Sequence, residues 1–214
     1  MSMQFDIVIK NGRVMDPETM FDGIANVGIK DGKIAVITKD ETSGKDTIDA
    51  TGHVVAPGFI DGHQHCVDPY IYRLMVRDGR TTIMDLEMGA FGPKVPEWYK
   101  TREGKTPINF GVSSSHELAR ASVLDGFTDW KYFNTPDAIK SRVNSGWSKT
   151  RPTLEQGNAI LSEMDEGLRM GAIGVGSTVG YMREGVSTRE IFEIQKLAGL
   201  YGRQTGMHFR GTPG

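Results

Sequence analysis

Hydrophobic and polar positions follow two different rhythms along this chain, and the change falls at Pro57. Before it, apolar and polar residues alternate, which is the period of half-buried strands. Phe5-Asp6-Ile7-Val8-Ile9-Lys10 is such a run, and Asn11-Gly12 predicts a hairpin turn into Arg13-Val14-Met15. Ile24-Ala25-Asn26-Val27-Gly28-Ile29-Lys30 alternates again, and Asp31-Gly32 turns it into Lys33-Ile34-Ala35-Val36-Ile37. Thr47 to Val55 is the last piece, with His53 at a surface turn. Residues 1–57 therefore read as a small β-sandwich module.

After Pro57, strands alternate with helical segments, which predicts βα units around a parallel sheet over residues 58–214. The apolar residues Phe59-Ile60 open a first strand, read as buried, over Gly58–His65, and a helix follows near Pro69–Arg77. Further strands are predicted over Thr81–Glu87, Ile108–Ser113, Ala172–Gly176 and Gly206–Phe209. Thr153 caps a helix over Leu154–Met170 with Ile160, Leu161, Met164 and Leu168 on one face; Ser187 or Thr188 caps another over Arg189–Tyr201. Residues 89–106 read as irregular and anchored by Trp98 and Tyr99. Residues 118–151 read as a loop-rich excursion carrying Trp130, Tyr132 and Trp147.

Composition narrows the function classes. At 38% hydrophobic and 24% charged residues, the 214-residue chain can build a core. A net charge of −2 gives no electrostatic case for nucleic acid or an anionic membrane. No apolar run reaches the length of a membrane span, and the N-terminal residues lack the basic and apolar regions of a secretory signal. The single cysteine, Cys66, allows no intrachain disulfide and fits a reducing, cytoplasmic setting; its strand parity turns it away from the histidines beside it, a structural role.

The chemistry starts at Asp61-Gly62-His63-Gln64-His65. Side chains at i and i+2 of a strand share a face. His63 and His65 therefore point the same way, and two imidazoles on one face can grip one divalent metal.

A β module followed by Gly58-Phe59-Ile60-Asp61-Gly62-His63-Gln64-His65 on the first strand of a βα series resembles the amidohydrolase superfamily. Gly79-Arg80-Thr81-Thr82, Gly174–Tyr181 and Gly206-Met207-His208-Phe209-Arg210 resemble, in that order, stretches of its N-acyl-D-amino acid deacylase branch. The resemblance implies a (β/α)8 TIM-type barrel, of which five strands are present, and zinc, as one or two ions, held at strand ends. It implies His63, His65 and His208 as ligands. The branch often carries a cysteine ligand where strict alignment here puts Met88; Glu87, on the face of Asp85, is the better donor and could bridge two ions. Asp61 is expected to orient a ligand histidine. Tyr181 and Arg210 are candidates to bind a substrate carbonyl or carboxylate, and His116 is a weaker metal candidate.

The implied activity is zinc-dependent hydrolysis of an amide C–N bond in a small N-acyl amino acid. A metal lowers the pKa of a bound water and polarises the carbonyl under attack. A complete barrel takes roughly 250 residues. In the family, the last metal histidine and the general-base aspartate lie on later strands, so no catalytic base is expected here. A complementary polypeptide is expected to supply strands six to eight, making a hetero-oligomer. Two alternatives remain open: a dihydroorotase- or hydantoinase-like cyclic-amide hydrolase, in which Glu87 would replace the carbamylated lysine, and a barrel scaffold without chemistry.

Overall fold

The computed structural model describes residues 4–65, 69–127 and 145–211. The chain divides into two compact units, one ending at Gly58 and the other starting at Phe59.

The first unit is built on one five-stranded sheet. Strand β1 (Phe5–Asp16) pairs antiparallel with β2 (Phe21–Lys30), and β2 with β3 (Lys33–Thr38). On its other side β1 runs parallel to β4 (Gly44–Asp49) and β5 (Val54–Val55). The inward residues Val14, Ala25 and Val27 form the core, with Ile9, Phe21 and Val55 packed against them. The Asp31-Gly32 hairpin is present as read, both residues having positive φ (51° and 73°) as a type I′ turn requires. Asn11-Gly12 is different. The pairs Ile9↔Val27 and Gly12↔Ala25 advance three residues on β1 against two on β2, so Asn11-Gly12 sits in a β-bulge inside one long strand. Asn11 adopts the left-handed conformation (φ 63°), and its N–H donates to Asn26 Oδ1 at 3.0 Å. A left-handed Asn suits a bulge as well as a turn; the partner on β2 decides. The actual turn follows Asp16, whose carboxylate accepts from Glu18 N and Thr19 Oγ1.

The second unit is a curled parallel sheet of half a barrel, with helices against it. Its order is β10-β9-β8-β7-β6: β6 (Phe59–Asp61), β7 (Arg80–Ala90), β8 (Asn109–Ser115), β9 (Gly174–Ser177) and β10 (Gln204–Met207). The helices are α1 (Pro69–Arg77), α2 (Val95–Lys100), α3 (His116–Asp125), α4 (Gly146–Lys149), α5 (Leu154–Arg169) and α6 (Thr188–Leu200). The core between sheet and helices gathers Val112 and Val175 from strands, and Ile160, Met164 and Ile194 from α5 and α6. Thr153 caps α5 in a reciprocal capping box with Gln156, and Ser187 caps α6. No helix among the described residues is long and apolar enough to cross a membrane.

Three elements depart from expectation. The first barrel strand is short and exposed: β6 has one strand neighbour among the described residues, and Phe59 and Ile60 are 68% and 69% exposed. Helix α2 forms where Gly and Pro suggested irregular chain, because prolines fit first-turn positions, where an N–H has no partner to lose. Helix α3 occupies part of the supposed loop. It shows no apolar stripe because His116, Glu117 and Arg120 are buried along with Leu118, Ala119 and Ala121. Trp130 and Tyr132 lie outside the described residues.

The curl is tight at the C-terminal end of β7. Neighbouring strands lie about 4.8 Å apart, so strands two or three places removed would be far apart in a flat sheet. Here a Cβ on Gly176 of β9 would stand 2.5 Å from Glu87 O, and one on Gly206 of β10 would stand 2.3 Å from Leu86 O. Only glycine fits at these two crossings. We expect Gly206→Ala to lower unfolding free energy by about 1–3 kcal/mol, because backbone atoms cannot yield as a side chain would. Gly157→Ala, in α5 with open space around it, should be neutral or stabilising by up to about 1 kcal/mol. Urea midpoints of the two variants check the contrast.

Candidate metal centre

The site forms where β6 and β7 end. After β6 the chain bends at Gly62, His63 bridges to Asp85, and Gln64 N donates to Met84 O at 3.2 Å. Asp61 Oδ1 accepts the His63 backbone N–H at 3.0 Å, while its other oxygen faces Arg80 Nε at 3.5 Å. Asp61 thus touches the first histidine through its main chain. The two histidine rings meet edge-on, with centroids 5.0 Å apart.

Glu87 stands at the centre. Its side chain is 7% exposed, one oxygen lying 2.7 Å from His63 Nε2 and the other 3.0 Å from His208 Nδ1. Asp85, two residues earlier, is also buried, and its Oδ1 sits 3.1 Å from His65 Nδ1. The same oxygen accepts the N–H groups of Met88 and Gly89, which fold the strand end around it. A carboxylate on Nδ1 fixes the proton there and leaves Nε2 as the electron-pair donor. One donor atom each from His63, His65 and Glu87 lies within 4.8 Å of the others. Two imidazoles and a carboxylate at this spacing, with a second carboxylate orienting one ring, suit a divalent metal such as zinc.

His208 follows β10 and reaches the cluster through Glu87. Its backbone is held twice, N–H to Ser177 O at 2.9 Å and C=O from Gly180 N at 2.8 Å. The half-exposed Tyr181 ring lies 4.7 Å from the His208 ring. Arg210 donates from Nη2 to Val186 O at 2.6 Å. Met88 is buried, and Cys66 lies outside the described residues.

His116 takes no part in the cluster. It is fully buried, with Nδ1 2.8 Å from Ser177 Oγ and Nε2 2.9 Å from Glu190 Oε1. Arg120, also fully buried, closes the network by donating to the same Glu190 oxygen at 2.5 Å and to the carbonyls of Trp147 and Thr150. Burial pushes the His116 pKa below the ordinary 6.5, with Arg120 adding to that, against the pull of Glu190. Burial raises the Glu190 pKa, but the hydrogen bond and charge of His116 and the charge of Arg120 outweigh it, so the carboxyl sits below its usual 4.5. Sequence reasoning missed Asp85 and this network. The i, i+2 relation of Asp85 to Glu87 signalled the first; nothing local signals the second. A groove of about 400 Å³ between the N-termini of α5 and α6 includes Glu190 but none of the cluster's donors.

No protein-family profile matches the chain. Over 85 residues, 39% of this chain and 18% of the relative, it is 45% identical to a dihydroorotase of Streptococcus pneumoniae. Over 68 residues, 31% of this chain and 14% of the relative, it is 44% identical to an allantoinase of Escherichia coli. The fold matches the N-acyl-D-glutamate deacylase of Bordetella bronchiseptica, solved with zinc and a phosphonate inhibitor, with a TM-score of 0.77 at 21% identity, covering 98% of this chain and 46% of that one. The likeness throughout is to the amidohydrolase superfamily. A D-aminoacylase structure matches with a TM-score of 0.74 at 22% identity, over 97% of this chain and 46% of that one. The chain thus spans less than half of these two solved structures, and its aligned segments cover less than a fifth of these two curated relatives.

The buried network makes stability acid-sensitive. Unfolded, His116 takes up a proton as pH falls through 6.5; folded, it resists, so the unfolded state binds more protons and stability falls. Glu190 works in the same direction, its contribution being present above 4.5 and lost as pH falls through its depressed folded value. Melting temperature should therefore drop between pH 7 and pH 5 through His116, and further below pH 4.5 through Glu190. The His116→Gln variant, lacking the first titration, should show a shallower drop in parallel melts.

Proposed function

We propose that this chain is the N-terminal part of a metal-dependent hydrolase of a non-peptide amide C–N bond, with N-acyl amino acids as the substrate class. The observation that carries the reading is the His63–His65–Glu87 cluster at the C-terminal ends of adjacent parallel barrel strands, the end of the barrel that carries catalysis. The fold-level likeness to N-acyl-D-glutamate deacylase and D-aminoacylase supports the substrate class. His63, His65 and Glu87 would hold the metal, zinc by the donor chemistry, and His208 would join through the second oxygen of Glu87. When bound, the metal would acidify a water and polarise the scissile carbonyl. Asp85 keeps the proton of His65 on Nδ1. Tyr181, whose ring lies against His208, and Arg210, two residues after it in sequence, are assigned to the carbonyl and carboxylate of the substrate.

The general base is assigned to a complementary polypeptide that carries the later strands and a further histidine. In support, β6 and β10 each pair with one strand among the described residues, and Phe59 and Ile60 leave an apolar edge open. A cytoplasmic setting is assigned on the single cysteine. A second reading, a cyclic-amide hydrolase, is favoured by the identity to dihydroorotase and allantoinase.

The protein purified with whatever co-purifies should turn over N-acyl-D-amino acids and lose that activity to a chelator. Turnover of dihydroorotate or allantoin alone would support the second reading, and absence of bound zinc would favour a scaffold. Glu87→Gln should weaken zinc binding by at least the roughly 10–100-fold that follows loss of a partner behind a metal ligand. A stable, active monomer of this chain would contradict the partner assignment.

A further inference from the structure

The fully buried pair His116 and Glu117 begins α3 directly after β8, away from the donor cluster. Each grips one of two consecutive residues at the end of β9. His116 Nδ1 meets Ser177 Oγ at 2.8 Å, and Thr178 Oγ1 donates to the Glu117 carboxylate. Glu190 can only accept, so His116 Nε2 carries the proton and Nδ1 accepts from the Ser177 hydroxyl. Serine, histidine and glutamate are also the parts of a nucleophilic triad. Here Ser177 and His116 are fully buried, so the hydroxyl meets no substrate. What it does meet is the backbone that seats His208. Ser177 O accepts His208 N–H, and Gly180 N–H, two residues past Thr178, donates to His208 O. A Cβ on Gly180 would collide with the His208 ring at 2.3 Å, so this loop lies hard against the imidazole.

We propose that His116 and Glu117 are positioning residues for His208: they clamp Ser177 and Thr178, and through the 177–180 backbone they fix the imidazole against Glu87. Glu190 and Arg120 anchor the clamp from α6 and from the same helix. The inference rests on His208 serving as a metal ligand.

The test is a double-mutant cycle on cobalt affinity, read from the absorption of Co²⁺ titrated into the full protein with any co-purifying polypeptide retained. Ser177→Ala removes the hydroxyl and keeps the backbone. It should weaken cobalt binding by about ten-fold or more, the scale of losing a partner behind a ligand. In a His208→Ala background the same change should cost nothing further, because its effect passes through that ring. Thr178→Val should behave alike, and serves if Ser177→Ala fails to fold. Unchanged cobalt affinity in both clamp variants, or equal losses with and without His208, would overturn the positioning role while leaving the ligand assignment intact. Unchanged affinity in His208→Ala alone would overturn the ligand assignment, and the positioning role with it.

Discussion

The structure depends on giving the buried carboxylate of Glu87 hydrogen-bond partners within the protein. A buried carboxylate costs several kcal/mol unless it is paired and hydrogen-bonded. Glu87 meets that demand with an imidazole on each oxygen, His63 on one side and His208 on the other. Those histidines come from opposite ends of the half-barrel, β6 and β10, so the sheet must curl enough to bring its two edges to one carboxylate. The glycines at 176 and 206 permit the curl by letting the end of β7 pass with no side chain between. Backbone economy and site assembly are therefore the same constraint seen at two levels.

Asp85 completes the logic. Two carboxylates on one face of β7 would repel each other if both lacked donors. Asp85 is satisfied by two backbone N–H groups and by His65, while Glu87 faces the other two imidazoles. The division of partners gives each of the three histidines its own carboxylate contact.

Part of the site was legible from strand parity: Glu87 on the face of Asp85 follows from the two-residue period of β7. His63 and His65 do not, because β6 ends at Asp61 and both histidines lie past the bend at Gly62, where the His63–Asp85 bridge and the Asp85 carboxylate on His65 place them. His208 was legible only through resemblance, since nothing in Gly206–Phe209 says which other strand it will face. The clamp at His116 was illegible for a physical reason: buried polar residues in α3 erase the apolar stripe by which a helix is recognised. Asn11-Gly12 shows the same limit in the first unit. The local sequence suits a hairpin and a bulge equally, and the choice is made by the Asn26 side chain, fifteen residues away. β6 is short and exposed although Phe59 and Ile60 are apolar, because apolar residues promise a burial that a neighbouring strand must deliver.

Glu87 and the two histidines past the end of β6 are the proposed metal site. Anomalous diffraction at the zinc edge, from crystals grown with zinc, should show a strong peak at bonding distance, about 2.0–2.2 Å, from donor atoms of His63, His65 and Glu87. A map without a peak there, with Glu87 still held by His63 and His208, would contradict that assignment.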